Sequence, residues 1–140
     1  MRHSSNEQPT ILLIEEDDET RPILRHNLIR DGYLVLLALD EEDAISRVSG
    51  GRVNADLILI NLIGKPTEVV LNIGRRIREH AELAGLTPLA VMAEKYGKDV
   101  EGTNVNVGGN DWIFYLGEDP DQLKNLLHQL LNKSSNQNPT

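Results

Sequence analysis

The sequence predicts an α/β fold in which a mostly parallel sheet is covered by helices on both faces. Three observations carry this reading. Five short apolar runs alternate with segments of helical periodicity, which is the pattern of repeated strand–helix units. One run, Asp56-Leu57-Ile58-Leu59-Ile60-Asn61-Leu62-Ile63-Gly64, places four consecutive aliphatic residues ahead of one polar side chain, as in a strand buried on both faces. The chain of 140 residues has the length of one ordinary domain with a single substantial core, and shows no repeat at solenoid spacing.

The elements follow in order. Residues Met1–Pro9 are polar and read as a flexible lead-in. Ile11-Leu12-Leu13-Ile14 is the first strand, and it meets five consecutive acids, Glu15-Glu16-Asp17-Asp18-Glu19. A run of carboxylates is costly to bury, so it is expected on a loop before a helix, where it meets the positive end of the helix dipole. Pro22 belongs to the first turn of that helix, Ile23, Leu24 and Leu28 recur at helical spacing, and Asp31-Gly32 closes it. Tyr33–Leu39 is the second strand. Asp40 caps a short helix over Glu41–Val48, with Ala44, Ile45 and Val48 facing inward and Ser49-Gly50-Gly51 ending it.

After the third strand, Leu57–Leu62, a longer helix is expected over Glu68–Leu83. Its apolar stripe is Val70, Ile73, Ile77, Ala81 and Ala84. Arg75, Arg76 and Arg78 lie on its other side and read as a solvated basic face. Pro88 opens the fourth strand, Leu89–Ala93. The segment Glu94–Asn110 is poorly patterned and rich in glycine, so a helix there would be short or irregular. Trp112–Tyr115 is the fifth strand. Asp119 and Pro120 supply an N-cap and a first-turn proline for a last helix, with Leu123, Leu126, Leu127, Leu130 and Leu131 on its apolar face. The ordered domain is expected over residues 10–133, with a disordered polar tail over 134–140.

Composition removes several function classes. A net charge of −8 argues against nonspecific nucleic-acid binding. The chain has no cysteine, which excludes disulfides, thiolate metal sites and cysteine nucleophiles. No apolar run approaches the roughly 18 residues of a membrane-spanning helix. A cytoplasmic protein that makes no membrane contact is expected.

In such a fold the strand ends converge, bringing together Glu15 and Glu16, Asn61, Ala93 and Tyr115. The order of Glu16-Asp17-Asp18-Glu19-Thr20-Arg21, Asp31-Gly32-Tyr33, Asp56–Ile60, Thr87-Pro88-Leu89 and Gly108-Gly109-Asn110-Asp111-Trp112 resembles the receiver domain of two-component response regulators, over about Thr10–Lys133. The resemblance implies a flavodoxin-like, doubly wound (βα)5 sandwich with a five-stranded parallel sheet in the order 2-1-3-4-5. It also implies a non-enzymatic signalling module of bacterial phosphorelays.

In that family an Asp ending the third strand accepts a phosphoryl group beside Mg²⁺, aided by a hydroxyl and a Lys after later strands. Here the acceptor position is Asn61, the hydroxyl position Ala93, the Lys position Tyr115, and the proline that usually follows that Lys is Leu116. Only the acid pair survives, as Glu15 and Glu16. These losses agree with one another, since an amide is a poor nucleophile and a Lys without its partner would be an unpaired charge. A degenerate receiver is expected, without aspartyl phosphorylation, acting through a protein partner.

For the partner the resemblance implies a histidine kinase or a downstream effector, docked on the face of the fourth helix, fifth strand and fifth helix. The chain itself is expected to be a monomer or weak homodimer. No cofactor is expected; Glu16, Asp17 and Asn61 are the candidates for residual Mg²⁺, against a solvated acidic loop. Trp112 occupies the position of the family's switch aromatic, with simple packing over the last strand as the other reading. The alternative function is a receiver phosphorylated on Asp17 or Asp18 with Mg²⁺. A small flavodoxin-like enzyme or nucleotide binder is disfavoured, because the first strand ends in acids rather than in a glycine-rich phosphate loop.

Overall fold

Each aliphatic run forms a strand in the computed structural model, which describes residues 8–51, 54–62, 64–83, 86–93 and 97–136. The elements are β1 (Thr10–Glu15), α1 (Thr20–Arg30), β2 (Leu34–Ala38), α2 (Glu41–Val48), β3 (Leu57–Asn61), α3 (Thr67–His80), β4 (Leu89–Ala93), β5 (Asn104–Asn106), β6 (Asp111–Tyr115) and α4 (Gln122–Asn136). They build a six-stranded sheet in the order β2-β1-β3-β4-β6-β5. Five strands are parallel and keep the expected order; β5 is antiparallel to β6.

Alternation along the strands divides the core between the two sheet faces. Leu12, Ile14, Ile58, Ile60, Leu89, Val91 and Ile113 face α2 and α3. Ile11, Leu13, Leu57, Leu59, Ala90 and Phe114 face α1 and α4, whose Leu24, Leu28, Leu126, Leu127 and Leu130 close over them. Central strands buried on both sides leave no room for polar positions, which explains the continuous apolar runs. Asp40 caps α2 as expected, its carboxylate accepting from the Asp43 N–H at 2.8 Å. Gly32, at φ +103°, turns the chain out of α1, and the Tyr33 N–H returns to the Leu28 carbonyl at 3.1 Å.

Several expectations are corrected. Ile23 lies 63% exposed, on the side of α1 away from Leu24 and Leu28. Glu15 is part of β1 and fully buried rather than the start of a solvated loop. The last helix begins at Gln122; Asp119 caps the turn before it, accepting from the Asp121 N–H at 2.9 Å. That helix continues past Lys133 to Asn136, so residues 134–136 are helical rather than tail. Residues 1–7 of the expected lead-in, Ile63, Ala84, Glu94–Tyr96 and residues 137–140 lie outside the described residues.

The largest departure lies between β4 and β6. No helix occurs there among the described residues. The chain instead makes a turn over 98–102, runs down the sheet edge as β5, and returns through Gly108 and Gly109 into β6. Two interior glycines and the polar Asn104 and Asn106 suit a short edge strand better than a helix. The sandwich therefore has five parallel strands as expected, a sixth at the edge, and one helix fewer among the described residues.

The arginines of α3 are not a free basic face. Arg75 Nε donates to Asp111 Oδ2 and Arg78 Nη1 to Asp111 Oδ1, each at 2.8 Å. Arg76 forms a two-pronged pair with Glu41 of α2 at 2.8 and 3.1 Å. Asp111 starts β6, so its carboxylate ties α3 to the strand that follows the hairpin. Burial alone would raise the Asp111 carboxyl pKa, but hydrogen bonds and charge from Arg78 and Arg75 outweigh it and hold the group below its ordinary value. A lowered folded pKa adds stability that is present above the unfolded carboxyl pKa and is lost as pH falls through the folded one. Asp111→Asn should therefore cost about 2–4 kcal/mol at neutral pH, below the cost for fully buried pairs because Arg75 reaches solvent. Denaturant melts should show the deficit shrinking toward zero as the medium becomes more acidic than about pH 4. A deficit unchanged at acid pH would show that Asp111 acts through packing alone.

Candidate functional site

The carboxyl ends of β1 and β3 meet in register, with Glu15 beside Asn61. Both side chains are buried, Glu15 completely and Asn61 to 3% exposure. A buried carboxyl needs donors, and two are supplied locally. Asn61 Nδ2 donates to Glu15 Oε1 at 2.8 Å, and the Asp17 N–H donates to Oε2 at 3.1 Å. An aspartate at position 61 would place a second acceptor against the first, whereas the amide supplies a donor. The pair is thus held by an amide-to-carboxyl hydrogen bond.

The remaining acids are engaged in holding the loop. Asp17 Oδ2 accepts from the Thr20 N–H at 2.7 Å and so caps the first turn of α1. This bonding, from the side chain and backbone of Thr20, lowers the Asp17 pKa. Arg21 folds back over the loop: its Nε donates to the Glu15 carbonyl at 3.1 Å, Nη2 to the Glu16 carbonyl at 3.3 Å, and Nη1 to Asp18 Oδ1 at 2.7 Å. A guanidinium 13% exposed thus occupies the concave side of the acidic turn. The donors present do not fit a divalent cation. Asp17 is spent on a helix end, Asn61 turns its amide nitrogen to Glu15, and no three acidic or His side chains among the described residues come together as a metal site.

Ala93 and Tyr115 pair across β4 and β6 at the same end of the sheet as the Glu15 and Asn61 pair. Ala93 and Asn61 both line a cleft of about 370 Å³ that also includes Leu62, Lys65, Thr67 and Val91. Tyr115 packs at the margin of the α2–α3 side of the core. Trp112 projects to the opposite face, half-buried against the α1–α4 cluster beside Ala90.

One residue of consequence had no signal in the sequence. Gln122, 6% exposed, joins three segments. Its Nε2 donates to Asn104 Oδ1 and to the Tyr115 carbonyl, each at 3.0 Å, and its Oε1 accepts from the Gly117 N–H at 2.8 Å. Beside it, a Cβ on Gly117 would stand 2.6 Å from the Gly102 Cα, so the turn after β4 and the loop after β6 touch backbone to backbone. Together these contacts fix the hairpin against the site edge.

The site makes a pH-dependent prediction. In Asn61→Asp two buried carboxyls share the space of one hydrogen bond, and one must keep its proton in the folded state. The folded pair then binds a proton that the unfolded chain releases, so stability falls as pH rises. The variant should be destabilised by about 2–4 kcal/mol at neutral pH and approach the parent toward about pH 4. Denaturant titrations at several pH values test this; a deficit independent of pH would contradict the buried Glu15–Asn61 bond.

No protein-family model matches the sequence, and no curated protein matches it. Solved structures do resemble it. A chemotaxis protein of Vibrio cholerae, CheY4, superposes with a TM-score of 0.64 at 17% identity, covering 89% of this chain and 100% of that one. A two-component response regulator from Clostridium difficile gives 0.65 at 21% identity, covering 91% and 98%. The receiver domain of a sensor histidine kinase from Pseudomonas aeruginosa, solved with magnesium in its active-site cleft, gives 0.61 at 21%, covering 90% and 99%. This chain therefore has the flavodoxin-like fold of the response-regulator receiver domains, altered by a strand between its fourth and fifth parallel strands.

Proposed function

We propose that this chain is a receiver-like signalling module that takes no phosphoryl group at its strand-end position and acts by binding another protein. The observation that carries the proposal is the buried Glu15–Asn61 hydrogen bond at 2.8 Å. An acyl phosphate forms on a carboxylate nucleophile, and the residue at this place is an amide already committed as a donor. Ala93 offers no hydroxyl, and Tyr115 no cation, to a phosphoryl oxygen. The structural likeness to receivers supports the signalling class, and the matched replacements support its independence of phosphorylation. Histidine kinases and downstream effectors are the partner classes that this reading favours.

The partner surface is the rebuilt edge rather than a fourth-helix face. Val105, Val107 and Leu116 are each more than one-third exposed there, on or beside the hairpin, next to the N-terminal end of α4. Gln122 and Gly117 hold this surface in one shape, as a constitutive contact requires.

Incubation with acetyl phosphate and Mg²⁺, followed by intact mass measurement, tests the proposal. No stable phosphate adduct is expected, and the fluorescence of Trp112, the single tryptophan, should not respond to Mg²⁺. A stoichiometric adduct would overturn the reading; if it mapped to Asp17 or Asp18, the phosphorylated alternative would replace it. Asn61→Asp alone should label poorly, because Ala93 and Tyr115 remain. Full, rapid labelling of that variant would contradict the account of matched replacements.

A further inference from the structure

We infer that the outer side of α1, together with the cationic side of α4, docks an acidic helix of another protein. Charge is divided unequally between the two faces of the sandwich. α1 and α4 cover one face of the sheet, and neither contains an Asp or a Glu, although the chain has 22 of them. Their cations are Arg21, Arg25, Arg30, Lys124 and Lys133. On the other face α2 and α3 carry Glu41, Glu42, Asp43, Glu68 and Glu79. The arginines there are consumed: Arg47 pairs with Asp43, Arg76 with Glu41, and Arg75 and Arg78 with Asp111. On α1 only Arg21 is tightly paired, with Asp18. Arg25 and Lys124 are exposed with no ion pair among the described residues. Arg30, its side chain 63% exposed, reaches Asp31 only at 3.6 Å.

α1 is also apolar on two sides. Leu24 and Leu28 enter the core, while Ile23 is 63% exposed and Ile29 43%. With roughly 3.6 residues per turn, Pro22, Ile23, His26, Ile29 and Arg30 share the half of the helix turned away from the sheet. A surface helix ordinarily keeps one apolar side and turns the other to water. A second apolar side, bordered by Arg25 and Arg30, suits an amphipathic helix whose apolar stripe is flanked by Asp or Glu. At physiological ionic strength charges farther away than about 8 Å are screened, so such a helix responds to these cations more than to the net charge of −8.

The border of the face selects a narrow occupant. Both helices follow parallel strands, so both begin at the carboxyl edge of the sheet, where exposed acids stand. These are Asp18 and Glu19 before α1 and Asp119 and Asp121 before α4. A broad polyanion, such as a lipid bilayer or a nucleic-acid duplex, would meet these carboxylates together with the cations. A single helix laid over residues 23–30 reaches the cations and clears the acids. This surface is separate from the hairpin and from the strand-end residues, so the inference can fail without affecting the proposed function.

Nuclear magnetic resonance titration of the full, isotope-labelled chain tests it, using three helical peptides with one leucine stripe flanked by glutamate, glutamine or lysine. The glutamate peptide should shift the amides of residues 23–30 and of Lys124, and should bind more weakly in high salt. Arg25→Glu combined with Arg30→Glu should weaken that binding about tenfold with circular dichroism unchanged, because two attractive contacts become repulsive. The lysine peptide should bind that variant at the same residues. Lys98→Glu, which removes an exposed cation outside both helices, should leave the affinity of the glutamate peptide as it is. A glutamate peptide that does not bind, binds no better than the glutamine peptide, or shifts other residues instead overturns the inference. Co-sedimentation of the chain with phosphatidylserine vesicles in place of peptide binding does so equally.

Discussion

A carboxyl group buried at the end of a central strand must be given hydrogen-bond donors, and in this protein that requirement governs the whole carboxyl edge of the sheet. Glu15 is fully enclosed between β2 and β3, and its two oxygens take the Asn61 amide and the Asp17 N–H. Because Asp17 is drawn in through its backbone, its own carboxylate turns to cap α1. Because the loop is then tightly wound, its carbonyls converge, and Arg21 covers them. Loop, helix start and strand end are one hydrogen-bonded unit centred on Glu15. The same unit explains why an amide suits position 61: it supplies a donor where an acid would need a cation between two negative groups.

A second constraint acts at the other side of the cleft. Between β4 and β6 the chain forms an edge strand instead of a covering helix, and this choice needs fastening. A three-residue strand has few ladder bonds of its own. Gln122 adds side-chain bonds to Asn104, Tyr115 and Gly117, while Asp111 anchors the opposite end of β6 to two arginines of α3. The edge is therefore clamped from both ends of β6. Buried polar groups satisfied in this way specify a single arrangement more than they add net stability.

Much of the fold was legible in the sequence because burial and periodicity are local signals. Ile11–Ile14 and Leu57–Ile60 announce central strands through unbroken aliphatic runs, and the Asp40 cap and Gly32 turn mark helix ends through chemistry carried by single residues. The convergence of Glu15, Asn61, Ala93 and Tyr115 also followed, since a parallel sheet brings its carboxyl ends to one side. The signals failed where the decisive partner is distant along the chain. Arg75 and Arg78 read as a solvated face because their partner, Asp111, is more than thirty residues away. Gln122 had no pattern to mark it, and a glycine-rich stretch cannot say whether it will pair at an edge or simply loop.

The sequence by itself determined the alternation of strands and helices and the residues that stand at three strand ends, Asn61, Ala93 and Tyr115. These depend on residue type and spacing, which are one-dimensional quantities. Only the tertiary structure decided that Glu15 is buried rather than solvated, that Asn61 is its donor, and that a strand replaces a helix beside β6. Those outcomes depend on which polar groups meet once the chain is packed, and the cost of leaving a buried group without a partner is set by neighbours that sequence order does not reveal.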